Sequence, residues 1–514
     1  MKKIYYLFCL SCFILASCKE SFIDLSPEDT QSGNTFYQTE DQFRQALAAA
    51  YQPLRDLMTN DYFTAEMRTD NTHYQYNDVD RGTANQYREN IANFTDPTND
   101  SYTNAVYFHC YKGISRANIV IERLPLANID EAARKDIDGQ AKFLRAFNYF
   151  RLVRYFGDVP LYLKETKVAE DAFLPRSPAA EVYNQIIADA SAAIEELAVP
   201  AGFPQSGAAT KGSATLLLAE VYVTQKRYSE AETLLKTLPE MGYQLLANYA
   251  DVFSTANKNS RESIFEVQYR EGAQGGQQSN FIYQFLPRST NTEMITGVAT
   301  NNTGTGGWNT PTDDMIAAYE SGDKRLDASI GIAEGTYNAS NVFTISANKS
   351  VVDYTPAEGK IGVPYIKKYL NPHTTANNTD DNWPVYRYAD ALLLLAETLN
   401  AQGKAQEALT YLNQVRDRAF GAGKAAIQET DPERLKTIIL HERRVELAFE
   451  NHRWFDLLRS GKTIEILSAF GEVMKQKYSY LPPTSFQVTA FRLLYPIPQS
   501  ERELNPELTQ NPGY

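Results

Sequence analysis

The chain has 514 residues, a formal net charge of −13, and 43% hydrophobic and 12% aromatic content. That length supports a sizeable buried core, and the acidic balance argues against a nucleic-acid partner, whose phosphates are held by basic patches. Its 33 tyrosines against three tryptophans suit wet binding surfaces and cores alike, so composition leaves function to the motifs.

Lys2 and Lys3 precede an apolar run from Ile4 to Leu15. The run is shorter than the roughly 20 apolar residues of a spanning helix. With its charged start and small residues before a cut, it has the layout of an export signal. Leu15-Ala16-Ser17-Cys18 resembles a bacterial lipobox. Residues 1–17 are therefore expected to be removed and Cys18 to carry lipid, giving a chain that is anchored without spanning. Cys9 and Cys12 leave with the signal and Cys110 stands alone, so no intramolecular disulfide is expected. Residues 18–37 are polar and turn-rich, a tether to one folded domain over 38–514.

Helical patterning begins near Thr39. AKFLRAFNYFRLVRYFGDVP is apolar almost all round and stops at Gly157, which predicts a buried helix with a glycine cap. Ser177-Pro178 then predicts a helix start, with Val182, Ile186, Ala190, Ile194 and Leu197 on one face. LLLAEVYVTQKRYSEAETLL (216–235) matches LLLAETLNAQGKAQEALTYL (393–412) without a gap. Leu218-Ala219 with Ala231 and Leu235, and Leu395-Ala396 with Ala408 and Leu412, fit the tetratricopeptide pattern, in which small residues let two antiparallel helices approach closely.

The expected fold is mostly α. A tetratricopeptide-like superstructure of helical hairpins spans about 38–256 and 382–514, and a large irregular, loop-rich insertion at about 257–381 carries short strands such as SIFEVQY. Loops on a rigid scaffold are where binding usually sits.

Several segments together resemble the SusD/RagB-like family of outer-surface lipoproteins. They are RANIVIERL (116–124), AKFLRAFNYFRLVRYFGDVPL (141–161), the LLLAE hairpins, RYADALLLLAE (387–397), HERRVELAFENHRWFDLLRSG (441–461) and the closing YPIPQSERELNPELTQNPGY. The resemblance implies a helical half that docks on a TonB-dependent outer-membrane transporter. The irregular half would bind a nutrient, typically an oligosaccharide, at the cell exterior, without catalysis or cofactor. In ERRVELAFENHRWFDLLR the spacing of Glu442, Glu446, Arg453, Asp456 and Arg459 suits charge pairing along or between helices, and Trp454 among them is expected in the core.

Catalytic and metal motifs are missing from the sequence. His441-Glu442 lacks the second histidine of H-E-x-x-H, since Val445 stands nearby in its place, and the five histidines show no i, i+4 pairing. Asn77, Asp78 and Asp80 near Gly82 are loosely like a calcium loop, but the glycine falls one position early, so no metal is assigned.

A sugar offers an apolar C–H face and a rim of hydroxyls, which an aromatic platform with amides or arginines can grip. Trp308, in the glycine-flanked TGTGGWNTPTDD ahead of a helix expected near Thr312, and Asn309 beside it are the first candidates. TDNTHYQYNDVDRG (69–82) supplies Tyr74 and Tyr76, which share a side if the segment is extended, with Asn71 and Arg81; Tyr283 in NFIYQF completes the set. The leading expectation is a lipid-anchored glycan-capture protein of the outer membrane. The same machinery with peptide cargo, a helical envelope scaffold without ligand, and a glycan-cleaving enzyme are the alternatives.

Overall fold

Thr39 starts the first helix. Its hydroxyl accepts the Gln42 amide at 3.4 Å and the Gln42 side chain accepts the Thr39 amide at 3.2 Å, which satisfies two otherwise orphaned donors. The computed structural model describes residues 36–272, 276–339 and 341–514. The expected signal segment (1–17), Cys18 and all of the expected tether except its last two residues lie outside the described residues.

The chain first builds α1 (Glu40–Tyr51), α2 (Pro53–Asp61), α3 (Thr83–Asn93), α4 (Ser101–Arg123), α5 (Glu131–Phe156), α6 (Ala179–Glu196), α7 (Lys211–Thr224) and α8 (Tyr228–Leu235). α5 is buried on every side from Phe143 to Phe156 and stops at Gly157, whose φ of +72° lies where glycine is preferred. α6 starts one residue later than Ser177-Pro178 suggests. Ser177 bridges to Val159, and the Asp158 carboxylate accepts the Ala179 amide at 2.8 Å, so the preceding chain satisfies the helix end.

The two repeats form the hairpins α7–α8 and α9 (Tyr388–Ala401)–α10 (Ala405–Phe420), followed by α11 (Pro432–Glu446), α12 (Arg453–Ser460) and α13 (Thr463–Lys477). α9 packs against α8 as well as α10 and α11, so hairpins far apart in sequence are successive in space. Ala219, Ala231, Ala396 and Ala408 are all fully buried, as close helix approach requires.

The described strands are β1 (Thr72–His73), β2 (Ser263–Val267), β3 (Thr310–Pro311), β4 (Ile330–Tyr337), β5 (Phe343–Ser350), β6 (Ile361–Ile366) and β7 (Trp383–Arg387). β2 pairs antiparallel with β7 and closes the base of the insertion. Within the insertion, β4 is the centre of an antiparallel sheet ordered β5-β4-β6, more regular than the loop-rich composition suggests. Ile282, Tyr283, Leu286, Ala333 and Tyr365 form a small separate core beneath it. The fold is mostly α with short strands.

Buried ion pairs join the insertion to the helices. Arg325 reaches Glu442 at 2.6 Å and Glu446 at 3.1 Å, and Lys368 reaches Glu450 at 2.7 Å. Arg387 binds Glu262 at 2.8 Å, Glu446 at 3.0 Å and Glu450 at 2.7 Å. Arg453 pairs with Asp70 at 2.7 Å, and Asp456 pairs with Arg443 at 3.0 Å and Arg459 at 2.8 Å. These charges orient helices, and Trp454 is buried among them.

Candidate ligand-binding site

The pairing of β1 with β3, Thr72 opposite Pro311 and His73 opposite Thr310, carries the 71–81 segment onto the loop that ends at Thr312. The Gln75 amide donates to the Gly307 carbonyl at 2.8 Å, and the Gln75 side chain accepts the Arg288 amide at 2.9 Å. Gly307 has φ of +84°, and a Cβ there would lie 2.7 Å from Gln75 Oε1, so glycine is needed on both counts. Thr312 caps the next short helix, Asp313–Ala317, by accepting the Met315 amide at 3.1 Å, close to the expected start.

This geometry turns most of the candidate side chains inward. Trp308 is 0% exposed. Phe63 meets its ring edge-on at 5.9 Å, and the Arg88 and Arg288 guanidiniums lie 4.4 Å and 5.1 Å from its centre. Asn309, at φ +50°, accepts the Thr72 hydroxyl at 2.7 Å and donates to the Tyr62 carbonyl at 3.1 Å, so its amide is consumed within the fold. Asn71 is equally buried, donating to Glu66 at 2.8 Å and accepting from Arg444 at 2.9 Å. Tyr74 is buried with its hydroxyl accepting from Asn93 at 2.8 Å. Tyr283 is buried under the sheet, its hydroxyl 2.7 Å from His373 Nε2, and does not join the group around Tyr76. In this arrangement none of these five presents a free face to solvent. The glycine-flanked loop that suggested exposure instead tucks its tryptophan under two arginines.

Tyr76 and Arg81 remain at the surface. Tyr76 is half-buried and stacks flat on Tyr480, centroids 4.2 Å apart at 7°. Tyr480 continues to Tyr478 at 5.3 Å, and Arg81 lies 4.7 Å from the Tyr76 centroid. Arg81 is held in turn by both oxygens of Glu89, at 2.7 Å and 2.8 Å. A partly exposed wall of three tyrosines thus carries Arg81 on its face, with Arg88 and Arg288 nearby over Trp308.

Tyr478, Tyr480, Arg88 and Arg288 escaped the sequence reading. KYSYLPP (477–483) carried a signal, since two tyrosines flank a serine just before a double proline where a helix must end. Arg88 and Arg288 carried none, because each looks like an ordinary solvated arginine. The electrostatics of Arg288 differ from that. Burial pulls the Arg288 guanidinium below its usual range, Asp80 and Glu89 oppose the shift, and Arg88 and Arg81 add to it by repulsion. Burial pushes the Tyr480 phenol up, with neighbouring tyrosines and Glu89 reinforcing it, and its hydroxyl has no hydrogen-bond partner.

The 77–82 turn is held by itself. Asn77 Oδ1 accepts the Val79 and Asp80 amides at 3.0 Å and 3.1 Å, and among the described residues no group of three or more acidic, histidine or cysteine side chains is placed to hold a metal. A separate groove of about 510 Å³ is lined in part by Tyr107, Tyr111, Tyr162, Phe173 and Leu504. Two of its tyrosines spend their hydroxyls on backbone, Tyr111 on Pro160 and Tyr162 on Ala172, and Phe108, Phe173 and Leu504 are left exposed. Lys112, Arg116, Lys164 and Glu501 complete the lining, so the groove mixes apolar and charged groups and lies apart from the tyrosine stack.

The SusD family profile matches residues 261–514, and a second profile, described as starch-binding associating with outer membrane, matches residues 21–223. SusD-like protein P2 of Formosa agariphila is 30% identical over 457 residues, covering 85% of each chain. This chain belongs to the SusD family. SusD-like protein P38 of the same organism is 28% identical over 541 residues, 99% of this chain and 98% of that one. A solved laminarin-binding SusD-like protein, 25% identical, superposes with a TM-score of 0.73 over 93% of this chain and all of that one. Surface glycan-binding protein A of Bacteroides fluxus, 24% identical, shares the fold with a TM-score of 0.74 over the same shares. The SusD family therefore includes glycan-binding members with this architecture. Among the described residues no helix is long and apolar enough to cross a membrane.

Proposed function

We propose that this SusD-family chain captures oligosaccharides at the cell exterior and delivers them to a TonB-dependent outer-membrane transporter. It would be held at the outer membrane by lipid on Cys18, and it acts as a binding protein and not as an enzyme. The observation that carries the reading is the Tyr76–Tyr480 stack beside Arg81, Arg88 and Arg288. Aromatic carbon meets the C–H face of a sugar, and guanidinium donors meet its oxygens. The laminarin-binding relative and the starch-binding, membrane-associating description of the second profile support the same direction. Of the sequence candidates, Tyr76 and Arg81 stay in the proposed contact set, and Tyr480, Tyr478, Arg88 and Arg288 join them.

The test is calorimetric titration of the full chain in detergent against oligosaccharides and mixed peptides, with Tyr480→Ala alongside. Binding of a glycan class that weakens at least about tenfold in the variant, equivalent to about 1.4 kcal/mol, supports the site. Response to peptides alone, or to nothing, refutes it. Co-purification of the wild-type chain with a transporter from outer membranes, and fatty-acid labelling lost in Cys18→Ala, test delivery and anchoring separately.

A further inference from the structure

Most strongly buried arginines of this protein carry a carboxylate. Arg68 has Asp96 at 2.6 Å, Arg416 has Glu442 at 2.6 Å, and Arg443 has Asp390 at 2.8 Å. Arg88 and Arg288 are less buried and, like half-buried Arg116 and Arg176, hydrogen-bond only neutral groups; what sets them apart is that they share one aromatic ring. Arg88 donates Nε to the Tyr102 hydroxyl and Arg288 donates Nε to the Gly306 carbonyl at 3.0 Å, both neutral acceptors. Arg288 Nη1 is buried with no acceptor at all. Both side chains are half-buried, and both guanidiniums lie over the same Trp308 ring.

The nearest carboxylates do not neutralise them. Glu89 already gives both oxygens to Arg81. Asp80 Oδ1 accepts the Gly82 amide at 3.3 Å, and Asp80 reaches Arg288 through space and not through a hydrogen bond. Cation–π contact with Trp308 repays part of the cost of holding two like charges together, but it leaves planar N–H forks without anionic partners. In a chain of net charge −13, such a cluster is a local attractor for anions. Guanidinium forks match carboxylate and sulfate oxygens in pairs.

We propose that the glycan taken at this site is acidic, a uronate- or sulfate-bearing oligosaccharide whose oxyanion seats on Arg88 and Arg288 while a neighbouring ring lies against the Tyr76–Tyr480 wall. The inference rests on the glycan-capture reading above and names its substrate class. A purely structural role, in which the arginines only lid Trp308, predicts no charge preference.

The experiment uses the full chain in detergent and matched pairs of oligosaccharides: oligogalacturonate with its carboxyl-reduced counterpart, and a sulfated galactan oligosaccharide with its desulfated counterpart. The charged member of a pair is expected to bind about tenfold or more tightly than the neutral one, the scale of one charge-assisted hydrogen bond. That advantage shrinks as salt is raised. Arg288→Gln removes most of it and Arg288→Lys keeps part of it, while Tyr480→Ala weakens charged and neutral members alike. A preference confined to one pair identifies the oxyanion as carboxylate or sulfate. Equal binding of both members, or a charged-member advantage unmoved by salt and by Arg288→Gln in a folded variant, overturns the acidic assignment and leaves glycan capture standing. No binding of any glycan overturns both.

Discussion

At Trp308 the ring is enclosed by Phe63, Tyr74, Arg88 and Arg288, so its first duty is to hold the loops that carry the arginines. Trp308→Ala is expected to lose about 3–5 kcal/mol of stability, as large-to-small changes of buried tryptophan do, read as a shifted denaturant midpoint. A variant unfolding at the wild-type midpoint would show that the ring is not part of the core. His73 carries a second residue-scale prediction. It is buried against Tyr478 and Tyr480 at 5.6 Å and 6.4 Å, with Nε2 unpartnered. Burial, then the Lys477 charge, drives its pKa down to about 3. A base held neutral in the fold but free to protonate when unfolded makes stability rise with pH between about 3 and 6.5. Glu66 and Asp100, each pushed up to about 7 chiefly by burial, act oppositely, gaining stability as pH falls through 7. The wild-type profile therefore mixes signs, and the difference between wild type and His73→Phe isolates the histidine. That difference should move in favour of the variant on going from pH 6.5 to 5, by up to about 2 kcal/mol at 1.36 kcal/mol per pH unit. A pH-independent difference would contradict it.

Helix α9 has neighbours on three sides, α8, α10 and α11, and Ala396 within it is 0% exposed. A larger side chain there has no free direction, so Ala396→Leu is expected to cost about 1–3 kcal/mol by overpacking, seen as a lower melting temperature. An unchanged melting temperature would show slack in the hairpin stack. The same element shows what the sequence makes legible. A leucine–alanine pair at a fixed offset from a second alanine is a statement about close helix contact, and it survives the long insertion between the repeats. The β4–β6 sheet was less legible because glycines interrupt its alternation for steric reasons. A Cβ on Gly331 would sit 2.5 Å from the Tyr365 ring, and one on Gly335 would sit 2.2 Å from the Thr344 carbonyl. The site was half legible. Tyr76 and Arg81 could be picked out from local density of aromatic and hydrogen-bonding groups. Their partner Tyr480 stands some 400 residues away, and only tertiary packing reports that pairing. Tyr74 and Tyr76 both meet the Tyr480 ring, at 5.9 Å and 4.2 Å, and differ in depth: Tyr74 is buried and Tyr76 stays partly exposed.

Across the whole molecule, the insertion is bound to the helices by charge as well as by apolar contact. Glu446 on α11 receives Arg325 from within the insertion, Arg387 from β7 and Arg418 from α10. Burial opposes its ionisation, but the three guanidiniums together hold its carboxyl down at about 2. Removing one member of such a group leaves buried charges uncompensated, at about 3–5 kcal/mol. Chains of this size often unfold through intermediates, yet here the insertion cannot detach without stranding Arg325 against Glu442 and Glu446, and Lys368 against Glu450. The expectation is one cooperative thermal transition, with Glu446→Ala shifting it downward as a unit. Hydrogen exchange at increasing denaturant reads the same thing locally: amides of β4–β6 and of α9–α11 should lose protection together. Exchange of the sheet at denaturant concentrations that leave α9–α11 protected would show that the ion pairs fasten two separately stable bodies, and would place the loops carrying Arg288 on the weaker one.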